Sequence, residues 1–192
     1  MATAVAATLF HVLGNDTIYG KLKEEVRNTF LSRQSICAGT SLDSCVYLRA
    51  CVEESLRIAP PGPGIFWRRS EHDMEVDGVQ IRAGTEVGVS IYALHHNRDV
   101  VLDPESFEPD RFLSPNATRG FIPFLSGFRS CPAQKLAYPM VCLPIARLVW
   151  EFDLERINHS TSICQETDAF EQIDVFGSKV KGPMVRFRPT SR

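Results

Sequence analysis

The sequence predicts an α+β fold, and three observations carry that expectation. Helical periodicity fills the first 59 residues, and short β-prone segments separated by turn signals follow. One long apolar stretch then occupies residues 134–150. Helices first and small strands afterwards is the pattern of a fold whose helices and antiparallel strands are segregated.

Residues 1–13 are apolar, with Leu9, Val12 and Leu13 on one helical side, and read as the end of a buried helix whose front is missing. The segment has no positively charged leader and is shorter than the ~20 residues a membrane span needs. Gly14, Asn15 and Asp16 supply a stop and a new cap, with Asp16 expected to cap a helix through Phe30. In that helix Ile18, Leu22, Val26 and Phe30 recur every four residues. Residues 32–40 read as a loop and 43–59 as a second helix, ended by the Pro-Pro-Gly-Pro-Gly run at 60–64.

Residues 65–68 are β-prone. Segments 74–76 and 79–81 flank Asp77-Gly78, a pair that favours a type I′ hairpin. A turn at 83–85 leads into a strand at 86–89, and 90–96 read as a short helix. Residues 97–128 lack periodicity, and so long an irregular stretch is normally functional. Residues 134–150 are apolar almost all round and predict a helix buried on most sides, which Pro139 and Pro144 are expected to kink or interrupt. Beyond Asp153 a polar loop precedes a hairpin over 180–188, turning near Lys181-Gly182-Pro183. The organisation is thus one unit over 1–192: helices at 1–59, short strands and a hairpin at 60–96, an irregular meander and cysteine loop at 97–133, a buried helix at 134–151, and loop and hairpin at 152–192.

The chain of 192 residues is 44% hydrophobic, with a formal charge of -2. Its pI near 6.2 argues against nucleic-acid binding, which usually needs a basic face. There are no internal repeats and no long runs of like charge. Of the six cysteines, at 37, 45, 51, 131, 142 and 164, no two have the spacing of a zinc or thioredoxin-type motif. Cys45, Cys51 and Cys142 sit in helical or apolar patterns and read as small buried thiols in a reducing compartment. The sequons at Asn116 and Asn158 then carry no role.

The chemistry concentrates at residues 124–133. A thiolate held against a metal needs a tight turn that aims backbone donors at sulfur, and Gly127 permits one. It needs an apolar wall, for which Phe124 is available, and a following helix whose N-terminal dipole favours negative charge. Arg129, two residues before Cys131, is placed to meet an anionic group on the same cofactor, as a haem propionate would be.

Phe124, Gly127, Arg129 and Cys131 resemble the cysteine-ligand loop of the cytochrome P-450 family, Phe-x-x-Gly-x-Arg-x-Cys-x-Gly. Ala133 departs from that pattern, setting a methyl group where the family usually has glycine. Glu54 and Arg57, three positions apart on one helix face, resemble the family's Glu-x-x-Arg. Phe107-Glu108-Pro109-Asp110-Arg111-Phe112 resembles its Phe-x-Pro-Glu-Arg-Phe, with Asp110 replacing Glu. The resemblance implies a structural triad of Glu54, Arg57 and Arg111 that braces the cysteine loop. Arg68 and His95 stand where the family often has further propionate-binding residues.

What the resemblance implies is the C-terminal portion of a mainly helical fold with small β-sheets, well under half of the family's usual length. It implies haem b with Cys131 as axial thiolate, and electrons from NADPH through NADPH-cytochrome P-450 reductase. The reaction implied is insertion of one oxygen atom of O2 into a small organic substrate. Tyr47-Leu48-Arg49-Ala50, Trp67-Arg68 and Leu136-Ala137-Tyr138 look most similar to fungal microsomal members, often found in secondary metabolism. A full-length homologue would sit at the endoplasmic reticulum membrane; residues 1–192 carry no membrane segment and are expected in the cytoplasm or an unassigned compartment. The oxygen-activating helix's acid and threonine are absent from the 192 residues, so the chain alone is expected to be inactive. A non-catalytic haem-binding protein and a degenerate product without haem are the alternatives left open.

Overall fold

The computed structural model describes residues 1–114, 119–157, 170–175 and 177–190. The sequons at Asn116 and Asn158 and the Cys164 thiol fall outside them. Helix α1 (Ala2–Val12) buries Ala4, Ala7 and Val12. Helix α2 (Asp16–Thr29) is capped by Asn15, whose side-chain oxygen accepts from the N–H groups of Thr17 and Ile18 at 3.0 and 3.2 Å. The cap therefore lies one residue before the expected Asp16. A capping oxygen must hang from the last non-helical residue to reach the second and third free amides. The four-residue spacing places Ile18, Leu22 and Val26 in the core, followed by Phe30.

Instead of one helix from residue 43, there are two: α3 (Thr40–Asp43) and α4 (Val46–Ile58), separated at Cys45, whose ψ of 76° breaks the helical path. The first turn of α4 has no side-chain cap of its own. Glu25, from α2, fills the gap: its two carboxylate oxygens accept the N–H groups of Tyr47 and Leu48, both at 2.8 Å. A carboxylate at a helix N-terminus satisfies free donors and meets the positive end of the dipole. Glu25→Ala is therefore expected to cost about 1–2 kcal/mol of stability, measurable as a lowered urea midpoint.

Strand β1 (Arg68–Arg69) is followed by β2 (Met74–Val76), β3 (Val79–Ile81) and β4 (Glu86–Val87). β1 pairs with β4 and β2 with β3, both antiparallel. Asp77 and Gly78 have φ of 48° and 79°, the paired positive values of a type I′ turn. The strand expected at 65–68 shrinks to β1 and a single bridge between Ile65 and Ser90. Helix α5 (Ile91–His95) starts at Ser90, whose hydroxyl accepts the N–H of Ala93.

Helix α6 (Gln134–Glu151) runs through both Pro139 and Pro144 without interruption. The carbonyls that lose a donor are those of Lys135 and Met140, both on exposed residues where water can serve them. Strand β5 (Phe152–Arg156) follows directly, then β6 (Gln172–Asp174), β7 (Ser178–Val180) and β8 (Val185–Pro189). The hairpin expected over 180–188 does not form. Its two arms belong to different sheets, β7 pairing with β6 and β8 with β5. The alternation of Phe152 and Leu154 with charged residues gives β5 an apolar face, and burying Leu154 favours this distant pairing over a local turn.

The core lies among α1, α2, α4 and α6, where Leu22, Leu48, Val52, Leu56, Ile145 and Val149 meet. Arg27 of α2 ties the sheet to it, donating to the carbonyls of Val149 and Phe152, to Asp153 and to Thr190. α6 buries one face only: Leu136 and Met140 are 60% and 50% exposed, against the expectation of a helix covered on most sides. Among the described residues no helix is long and apolar enough to cross a membrane. Among them, too, Cys45, Cys51 and Cys142 are buried free thiols, Cys37 is exposed and Cys131 half-buried. Burial pushes the Cys51 thiol up and that of Cys142 up to about 12, which keeps both protonated.

Candidate functional site

Glu54 and Arg57 lie on one face of α4 because three residues make most of a helical turn. Glu54 is wholly buried. Its carboxylate receives Arg57 Nε and Nη2 at 2.8 and 2.9 Å, Arg111 Nε at 3.0 Å and the backbone N–H of Glu108 at 2.9 Å. Arg57 donates further to the carbonyls of His95, Pro104 and Ser106 at 3.0, 2.8 and 3.1 Å, so the guanidinium makes five bonds from its five N–H groups. Arg111, from the 3-10 turn Pro109–Leu113, also reaches the carbonyls of Leu102 and Asp103. One carboxylate shared by two arginines thus pins residues 95–111 onto α4. Burial of so many charges is tolerable because each has a partner.

The segment 121–131 turns back on itself. Leu125 N–H donates to the Ile122 carbonyl at 3.0 Å, and Cys131 N–H to the Phe124 carbonyl at 2.8 Å. Leu125 and Gly127 both have positive φ, 62° and 66°. For a branched, non-glycine residue such a conformation is costly and marks a turn fixed by its surroundings. A Cβ built on Gly127 would meet nothing within 4 Å, so its backbone borders open space.

Cys131, Arg129 and Phe124 stand on the wall of a cavity of about 380 Å3. Val52 and Leu56 of α4, Ala4 of α1 and Ala137 of α6 line other sides. That volume lies within the ~300–1,000 Å3 typical of bound organic groups. Ala133 lines it as well, with φ of -90° and ψ of 8°, a conformation that needs no glycine. The departure from the family's glycine therefore adds a methyl group to the wall without backbone strain. The polar residues on its lining are Cys131, Arg129, Ser130 and Tyr138, and a single thiol beside a guanidinium in largely apolar surroundings suits a flat, apolar group with an anionic edge and a metal wanting one soft ligand. Among the described residues no three His, Cys, Asp or Glu side chains cluster to hold a metal ion by themselves.

Sequence reasoning set Arg68 and His95 beside a propionate; neither lines this cavity. Arg68 folds back on its own strand, donating to the carbonyls of Trp67 and Phe66 at 2.8 and 3.4 Å. His95 is 1% exposed, with Nδ1 at 3.1 Å from the Arg57 carbonyl and Nε2 receiving the Ile122 N–H at 3.0 Å. Both ring nitrogens are committed to backbone groups, so none remains for an anion. Burial and the positive charge of Arg57 hold the His95 pKa down at about 4. The apolar walls Val52 and Leu56 were not singled out in the sequence, although their four-residue spacing on α4, at the level of Glu54, was a signal for a shared face.

A model of the family described as cytochrome P-450 matches residues 1–174. The chain belongs to the cytochrome P-450 family. It is 33% identical over 201 residues to the cytochrome P-450 monooxygenase lcsN of Purpureocillium lilacinum, covering 98% of this chain and 60% of that protein. To the cytochrome P-450 monooxygenase atnE of Emericella nidulans it is 34% identical, covering 98% of this chain and 38% of the relative. To poxM of Penicillium oxalicum, another cytochrome P-450 monooxygenase, it is 39% identical over 81% of this chain and 31% of the relative. The P-450 chain described here thus spans between 31% and 60% of the length of these three fungal relatives.

Proposed function

We propose that residues 1–192 form the iron-ligating portion of a haem-thiolate monooxygenase, in which Cys131 would hold the iron through its thiolate and Arg129 would meet a haem propionate. The observation that carries this reading is the largely apolar cavity whose lining includes both Cys131 and Arg129. When bound, haem would supply activation of O2 for insertion of one oxygen atom into an organic substrate, with electron donation from the thiolate favouring cleavage of the O–O bond.

The chain's own residues have supporting tasks. The turn at 122–127 holds the sulfur at the cavity wall and keeps it half-buried. Phe124, Leu56 and Val52 exclude water from the thiolate side, and Arg129 offsets an acidic edge. The Glu54–Arg57–Arg111 network keeps α4 and the residues preceding the cysteine loop in register. Electrons would arrive from NADPH through a reductase, and the substrate would be a small organic molecule of fungal secondary metabolism, in keeping with the fungal relatives. Without the acid–threonine pair of the oxygen-activating helix, the 192 residues alone are expected to ligate iron without turnover.

The test is haem titration of the purified chain followed by reduction under carbon monoxide. A thiolate-type Soret band is expected in the parent and its loss in Cys131→Ala. Arg129→Ala should retain the band and bind haem more weakly, by about tenfold, as expected for one charge-assisted contact. Identical spectra for parent and Cys131→Ala would refute the assignment.

A further inference from the structure

His95 closes a hydrogen-bonded path between α4 and Cys131. Its ring Nδ1 bonds the Arg57 carbonyl at 3.1 Å, while the Arg57 guanidinium donates to the His95 carbonyl at 3.0 Å. Each residue therefore holds the other's backbone with its side chain. On the far edge of the ring, Nε2 accepts the N–H of Ile122 at 3.0 Å. A carbonyl only accepts and an amide N–H only donates, so this pair of partners selects the neutral ring with its proton on Nδ1.

From Ile122 the path continues through the loop. The Ile122 carbonyl receives the N–H of Leu125, and the neighbouring Phe124 carbonyl receives the N–H of Cys131. Phe121 stands beside the imidazole, ring centroids 5.5 Å apart, and meets Phe112 edge-on at 4.8 Å. Phe112 follows Arg111, so the same short segment touches both the ion network and the start of the cysteine loop. The positive φ of Leu125 persists only if something anchors the residues before it, and the bond from Ile122 to His95 supplies that anchor.

We propose that His95 is a positioning residue that joins the Glu54–Arg57–Arg111 network to the Cys131 loop through its two ring nitrogens. A lysine or arginine here would offer only donors and a carboxylate only acceptors. The site needs one of each, on opposite edges of a rigid ring. The geometric role stands on the hydrogen bonds, and its functional consequence rests on the reading of Cys131 as the iron ligand.

The test combines residue-resolved amide exchange by NMR on the 192-residue chain with haem titration. His95→Asn keeps a donor near the Nδ1 position and removes the acceptor for Ile122. It is expected to speed exchange at Ile122 and Cys131 by about tenfold while leaving Val26 of α2 unchanged. His95→Gln, whose side-chain oxygen reaches the Nε2 position, should restore protection at both amides. The fraction of haem in the thiolate-type form should fall in His95→Asn and recover in His95→Gln. Unchanged exchange in His95→Asn, or an equal rise at Val26, overturns the proposal. A parent that takes up no haem would refute the iron-ligand reading, and the exchange data would still decide the role of His95.

Discussion

Glu54→Gln is expected to destabilise the chain by about 3–5 kcal/mol. The carboxylate is wholly buried and receives four hydrogen bonds, three of them from the two guanidiniums. An amide of the same shape keeps one acceptor and turns the other into a donor facing donors. It also leaves Arg57, 2% exposed, without a counter-charge. Removing the other partner, as in Arg57→Met, strips donors from the carbonyls of His95, Pro104 and Ser106 together and should cost a comparable amount. The double variant is expected to lose less than the sum, because neither charge is then left buried alone. Urea denaturation of the four proteins measures all three quantities, and a loss below about 1 kcal/mol in Glu54→Gln would mean the network adds little to stability.

Legibility from the sequence followed the range over which each signal acts. The period of Ile18, Leu22 and Val26 defines α2 because every residue in it answers to neighbours a turn away. Asp77-Gly78 defines its hairpin for the same reason, both residues adopting the positive φ the turn requires. Distance defeats such reasoning at β5 and β8, which pair across nearly thirty residues of chain, and at α6, where packing of Ile145 and Val149 outweighs two prolines. In the candidate site, Phe124, Gly127, Arg129 and Cys131 form a local motif that stands out in the sequence through its resemblance to the family's pattern. The bond from Arg111 to Glu54 follows from the family's motifs, but the carbonyl partners of Arg111 and both partners of His95 are backbone groups, which have no signature in a sequence. A lone histidine looks the same whether it faces an anion or bridges two backbone groups, and only the fold distinguishes them.

Acid should weaken this fold through the same ring. His95 has an ordinary pKa of 6.5 that the folded state lowers to about 4, chiefly through burial, because the charged ring would be desolvated and would turn a donor toward the Ile122 N–H. The unfolded chain therefore binds a proton between these values that the folded chain refuses. Stability from this residue is complete above pH 6.5 and is lost as pH falls toward 4. The full shift corresponds to about 3 kcal/mol. His11 acts in the same direction: burial first, then Arg156, bring it down to about 4, and its Nε2 is enclosed without a partner among the described residues. The measurement is the urea midpoint of parent and His95→Gln from pH 7.5 to 4. The parent should lose stability more steeply with acid than His95→Gln, by the equivalent of one proton, while His11 leaves a shallower dependence in both. Parallel curves would mean that His95 takes up its proton equally in both states, and the neutral bridge between Arg57 and Ile122 would then have no energetic weight.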